Sequence, residues 1–295
     1  TDPGTRVRDK NRELHFSMIS SWFGQWRERL VHILKDVRAA EAAGRKKILV
    51  LSYSINEVVN LLTLYTRGSS ASLYTDLPGL RAADVGETVA PDPLTLRERR
   101  KLERRLKHLK SQMKSSTLNP VKRTQYQEQV AQTQFRLKQG AVFDKLANLR
   151  RKHQRAFVSG LMRETKDGGL MIHDIKADQR LSYVKKARVT FGIMKYGKEG
   201  LDCPDLDTIL VCEPFSQRNG LQQLMGRTTR NHLTKMRPVI VFYEDNVGPV
   251  IGMCRKLQRH LRDWPTEEGG PLPFEIAGNP AQARNPWNST KAFGP

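Results

Sequence analysis

Ile48-Leu49-Val50-Leu51-Ser52-Tyr53-Ser54 is an unbroken apolar run that ends in hydroxyl-bearing residues. With no polar residue alternating into it, such a run predicts a parallel strand buried on both faces. Residues Ile55 to Tyr65 continue as a helix, with Ser54 at the N-cap and Glu57 three residues later, the spacing of a capping box. Strand, hydroxyl-rich turn and helix make a βα unit whose functional edge is the carboxyl end of the strand. The same grammar returns downstream. Asp178 to Lys186, Gly220 to Arg230 and Val247 to Trp264 are expected helices; Arg188 to Met194, Thr208 to Cys212 and Pro238 to Tyr243 are expected strands. Ala156 to Gly160 is read as a short strand and Lys166 to Gly169 as a turn. Alternation of this kind predicts an α/β fold with a mostly parallel sheet flanked by helices.

Two further segments frame this pattern. From 12 to 43, Leu14, Met18, Trp22, Trp26, Leu30, Ile33, Leu34 and Val37 recur at three- and four-residue spacing, which predicts one helix closed by Gly44. From 94 to 157 the character changes. Leu102, Leu106, Leu109 and Met113 form a stripe, residues 115–120 a turn, and Val121 to Gln139 a second helix. Phe143, Leu146 and Leu149 mark a third helical piece. The expectation is an antiparallel helical hairpin, or short coiled coil, inserted into the α/β domain. Residues 97–155 hold 18 Lys or Arg against 4 Asp or Glu, so this arm carries +14 of the chain's net +21. The domain plan is a linker helix to 44, an α/β segment 45–93, the arm 94–157, a second α/β segment 158–264 and a flexible Pro-, Gly- and Asn-rich tail 265–295.

The chemistry concentrates between 199 and 230. Glu199-Gly200-Leu201-Asp202-Cys203-Pro204 precedes an apolar run, and about twenty residues on stands Gln223-Leu224-Met225-Gly226-Arg227-Thr228-Thr229-Arg230. Two guanidiniums one helical turn apart, opened by a glycine, suit a site that grips clustered phosphate oxygens through planar, charge-assisted hydrogen bonds. In this order the segments resemble motifs V and VI of superfamily-two helicases, over roughly residues 8–262, the second RecA-like half of such a motor. Phage and restriction-type DNA helicases are the nearer pattern, which points to DNA ahead of RNA.

What the resemblance implies is specific. ATP with Mg would sit in a cleft between two RecA-like domains. Arg227 and Arg230 would be arginine fingers to the γ-phosphate, with Gln223 orienting water or a finger. Gly200, Asp202 and Gly226 would line the nucleotide side. Ser52 and Ser54 fall where motif IV touches nucleic acid. Ile193 stands where the family has a hydroxyl residue, and Lys195 beside it either contacts phosphate or is an exposed strand-end lysine. Arg104, Arg105, Lys122 and Arg123 on the arm are the remaining candidates for phosphate contact.

No G-x-x-x-x-G-K-[ST] loop and no D-E-x-H box occurs in the 295 residues. The chain also opens at Thr1. The expectation is therefore that a first RecA-like domain, in this or another chain, completes the ATP site and that this chain alone hydrolyses no ATP. The excess of 51 basic over 30 acidic residues favours a polyanionic partner, nucleic acid foremost. No apolar run has the length of a membrane span. Cys203, Cys212 and Cys254 lack zinc or disulfide spacing, and no metal ligand set is read. A cytoplasmic, viral or host-cell interior is expected, with no secretion and no membrane partner. A non-catalytic, helicase-like binding module is the alternative.

Overall fold

A computed structural model describes residues 16–74, 84, 87–114, 119–173, 175–198, 203–215, 217–230, 232, 235–245 and 247–263. The chain divides into two compact units, Thr1–Asp76 with Val158–Pro295, and Leu77–Phe157.

The first unit is built on a five-stranded sheet of β1 (Ile48–Ser52), β2 (Gly168–Met171), β3 (Val189–Ile193), β4 (Thr208–Val211) and β5 (Val239–Phe242), in the order β2-β3-β1-β4-β5. Every neighbouring pair is parallel, and Ile48 at the centre pairs with Val189 on one side and Thr208 on the other. The helices of this unit are α1 (Phe16–Phe23), α2 (Arg27–Ala42), α3 (Ile55–Arg67), α6 (Ala177–Lys186), α7 (Met194–Lys198), α8 (Arg218–Thr228) and α9 (Gly248–Arg262). All five residues of β1 are buried, as its unbroken apolar sequence requires. Leu49, Leu51, Ile209 and Val211 of the sheet pack with Leu221 and Leu224 of α8 and Leu257 of α9. This is an α/β domain of Rossmann- or RecA-like arrangement.

The second unit contains α4 (Leu96–Met113) and most of α5 (Pro120–Glu164). Arg99 near the start of α4 is ion-paired to Asp144, well along α5, so the two helices run antiparallel. Leu102, Leu106 and Met113 are half-buried and Leu109 buried, whereas Arg104 and Arg105 between them are exposed. Thr95 and Glu98 close α4 with a capping box, each side chain bonded to the other's backbone N–H.

Several expectations are corrected. The single helix over 12–43 is two, broken at residues 24–26, with 12–15 outside the described residues. The break is at Gly24, where a Cβ would lie 2.9 Å from the Glu57 backbone nitrogen. Gly24 O also accepts a hydrogen bond from Asn60 Nδ2 at 2.6 Å. The supposed turn at 166–169 holds the start of β2. Its glycines serve close packing, since a Cβ on Gly168 would meet Thr165 Cγ2 at 2.5 Å and Leu62 Cδ1 at 2.8 Å. The supposed strand 156–160 lies within α5, which is continuous through the second and third helical pieces. A short apolar run cannot tell strand from helix by periodicity alone. Gly140 does not interrupt α5; it makes room for Leu94, whose Cδ1 lies 2.6 Å from where a Cβ would be.

Ser54 does cap α3 by position, but its side chain makes no capping bond. Glu57 is turned into the core instead. The helix expected to reach Arg230 ends at Thr228. The tail 265–295 lies outside the described residues.

Candidate functional site

α8 carries the Gln223 to Arg230 pattern on an amphipathic frame. Gly220, Leu221, Leu224 and Thr228 are buried, while Gln223 and Gly226 are exposed and Arg227 is half-buried. Gln223 and Arg227 are four apart on one helix face. Gly226 has nothing within 4 Å of a built Cβ, so its role is not tight packing in this conformation. Thr229, in αR conformation, caps the helix through its N–H to Met225 O. Arg230 therefore stands just past the helix end, exposed, rather than on the same helix as Arg227.

A residue that the sequence reading passed over joins the two motif segments. Lys235 Nζ donates to Pro204 O at 3.2 Å and to Arg230 O at 3.0 Å. Burial lowers its pKa, while Asp207 works the other way. The carbonyls at the ends of both motif segments thus share one ammonium. Cys203, next to Pro204, is buried and donates its thiol to Asp205 at 3.0 Å. Gly200 and Asp202 lie outside the described residues.

The carboxyl edge of the sheet holds a second cluster. Arg29 of α2 is ion-paired to Glu57 of α3 and, at 2.9 Å, to Asp245 beyond β5; it also donates to Cys212 O at the end of β4. Burial works against the Arg29 charge, yet Glu57 and Asp245 outweigh it and raise its pKa. Ser52 Oγ lies 2.7 Å from Glu57 Oε2 and 3.0 Å from Glu213 Oε2, and it accepts from Ser54 N–H at 2.8 Å. A hydroxyl has one proton, so close contacts to two carboxyl groups require one of those to bring its own. Glu213 is that group. Burial first, then the charge of Glu57, push its pKa up to about 8.

Ser52 is fully buried in this cluster, which leaves its hydroxyl no face for a phosphate. Ser54 is half-buried and its hydroxyl makes no cap, and Lys195 is exposed on α7 directly after β3. The β1–β3 register pairs Ser52 with Ile193, so Tyr53–Ser54 and Met194–Lys195 leave the sheet side by side.

Linkage fixes the sign of a pH effect. Below the ordinary glutamate value of 4.5, Glu213 is protonated folded or unfolded; between 4.5 and about 8 only the folded chain keeps the proton. Stability therefore falls as pH rises through that window and levels off above it. Urea unfolding should lose on the order of 1–2 kcal/mol between about pH 6 and pH 8, and Glu213→Gln should flatten the slope. An unchanged slope in that variant would remove Glu213 as its source.

In the second unit, Glu87, Asp92 and Asp144 are engaged by Lys138 and Lys145, Arg136, and Arg99 respectively. Arg104, Arg105, Lys122 and Arg123 are all exposed. Arg97, Arg100, Arg104 and Lys107 recur at three- and four-residue spacing on the side of α4 opposite the leucine stripe.

ATP with Mg, the pair implied by the resemblance, fits this donor set in part. Guanidinium and amide groups at 223, 227 and 230 suit phosphate oxygens. Among the described residues no three His, Cys, Asp or Glu side chains are grouped to hold a metal ion.

The chain is similar to the transcript termination protein A18 of Yaba monkey tumor virus, 29% identical over 134 residues, or 44% of this chain and 28% of that protein. The A18 protein of Yaba-like disease virus is 29% identical over 105 residues, 34% of this chain and 22% of that one. The match is distant and partial: it spans about a quarter of the length of these curated relatives. No protein-family model matches the chain. Among the described residues no helix is long and apolar enough to cross a membrane.

Proposed function

We propose that this chain is the second motor domain of an ATP-dependent nucleic-acid helicase or translocase, with DNA the favoured polymer. The observation that carries the reading is the end of α8, where exposed Gln223 and Arg230 flank half-buried Arg227 and Lys235 ties this segment to Pro204. The parallel α/β sheet and the partial likeness to viral transcript termination proteins support it. Bound ATP, with Mg, supplies a phosphoryl group whose transfer drives the motor. Arg227 and Arg230 neutralise its oxygens, and Gln223 holds water or a finger in line. The phosphate loop and the Mg ligands come from a first RecA-like domain, in this or another polypeptide.

The reading is tested by ATP turnover of this chain alone and of the chain joined to such a domain, with single-stranded DNA, duplex DNA and RNA as stimulants. Turnover is expected only in the joined protein. Robust, Arg227-dependent turnover by this chain alone would overturn the two-domain reading; no turnover in the joined protein, with nucleic-acid binding kept, would leave a non-catalytic binding module.

The arm supplies phosphate contacts through Arg104, Arg105, Lys122 and Arg123. Of the arm's four acidic residues, Asp144 is ion-paired to Arg99 and Glu98 is spent on the α4 cap, so the 18 cations far outnumber the carboxylates left to neutralise them and face a polyanion. Changing Arg104, Arg105, Lys122 and Arg123 together to Gln should lower the slope of log affinity against log salt by roughly 3–4, about one for each lost phosphate contact. An unchanged slope would discard the arm as a binding element.

A further inference from the structure

Two exposed aromatic residues, Trp26 and Tyr53, belong to segments that meet the start of α3. Trp26 is 38% exposed and Tyr53 37% exposed, and they are the exposed large hydrophobic side chains of the α/β unit among the described residues. Trp26 is not a loose side chain. Its ring is backed by Trp22, with centroids 4.9 Å apart and planes inclined by 32°, and Trp22 packs on the buried cluster of Ile19, Phe23, Val250 and Cys254.

The backbone beneath is pinned. Gly24 lies against Asn56 and Glu57 of α3 and is held by Asn60, and Arg29 holds Glu57, Cys212 and Asp245 three residues past Trp26. Tyr53 directly precedes the Ser54 cap of that helix, and its backbone N–H is bonded to Glu213 at 2.8 Å. Both residues therefore stand at the carboxyl edge of the sheet, where ligands of open α/β sheets bind. Exposed Lys195 leaves the neighbouring strand beside Tyr53.

Among the described residues of this unit no large aliphatic side chain is exposed beside them, which sets the pair apart from an aliphatic protein-docking patch. Flat rings on rigid supports beside a cation, in a chain of net charge +21, are the elements of single-strand recognition: bases stack and phosphates pair with cations. We infer that Trp26 and Tyr53 form a base-stacking platform for single-stranded nucleic acid, with Lys195 on its phosphates. This rests on the nucleic-acid reading above and adds to it contact with bases, not backbone alone.

The test measures affinity of the chain for a labelled oligo-dT, for a duplex of equal length and for an abasic strand, using Trp26→Ala, Trp26→Phe and Tyr53→Leu. Trp26→Ala and Tyr53→Leu are each expected to weaken oligo-dT binding about tenfold. Trp26→Phe should keep most of the affinity, and binding of the duplex and abasic strand should change less than about twofold. Oligo-dT affinity unchanged by Trp26→Ala, or a loss shared equally by all three ligands, overturns the platform while leaving the nucleic-acid reading intact. Wild-type chain that binds none of the three at low salt overturns both. Should Trp26→Ala fail to fold by circular dichroism, Tyr53→Leu carries the same comparison, and an unchanged oligo-dT affinity there overturns the proposal.

Discussion

Arg230→Ala is expected to cut nucleic-acid-stimulated ATP turnover in the joined two-domain protein by about 10³-fold or more, with little change in stability. Fingers of this kind stabilise charge that spreads over the γ-phosphoryl oxygens in the transition state, and supplying one is typically worth 10³–10⁵ in rate. Arg230 is the cleaner of the two positions because it is exposed and beyond the end of α8, so its removal opens no cavity. Arg227 is half-buried against the helix, and its replacement mixes a catalytic loss with a packing loss. Arg230→Lys separates charge from geometry. An ammonium keeps the charge but cannot make the planar, two-pronged contact, so it should recover only part of the rate. Turnover unchanged in Arg230→Ala would remove this side chain from the transition state.

The second large effect is structural. Arg29→Ala should destabilise the α/β unit by about 3–5 kcal/mol, because it strands buried Glu57, removes a partner of Asp245 and leaves Cys212 O without that donor. Denaturant unfolding reads the loss directly. Adding Glu57→Gln to Arg29→Ala should restore part of it, since the uncompensated buried charge then disappears. If the double variant is as unstable as the sum of the singles, the two side chains are not energetically coupled and the loss belongs to packing alone.

What could be read from the residues, and what could not, follows from the kind of signal each leaves. β1 was legible because Ile48 to Leu51 offers no polar face, and a strand with two apolar faces belongs in the middle of a covered sheet. β2 was hidden because Gly168-Gly169 is a turn signal locally. Only the nearness of Leu62, Thr165 and Ala187 explains why glycines are needed inside a strand. Ser54 with Glu57 and Thr95 with Glu98 share one spacing, yet only the second pair forms the reciprocal cap. The first fails because Glu57 meets Arg29 from 28 residues upstream, an interaction no local pattern encodes. Ser52 was read as a phosphate contact for the same reason: its hydroxyl is spent on Glu57 and Glu213, the latter 161 residues away. Lys235 leaves no motif at all. Its position is defined by two carbonyls, and carbonyls are present in every residue.

The central strand has its own consequence for how the chain is made. Ile48 pairs with Val189 and Thr208, so β1 emerges from the ribosome long before either neighbour has been translated. At roughly 5–20 residues per second the delay is on the order of 10 s. During that interval the central, fully buried strand of the sheet has no partner on either edge, while the intervening hairpin is free to collapse on its own short-range contacts. A message truncated inside the hairpin would thus release a polypeptide with a bare, sticky β edge, the kind of species that chaperones must hold or proteases must clear.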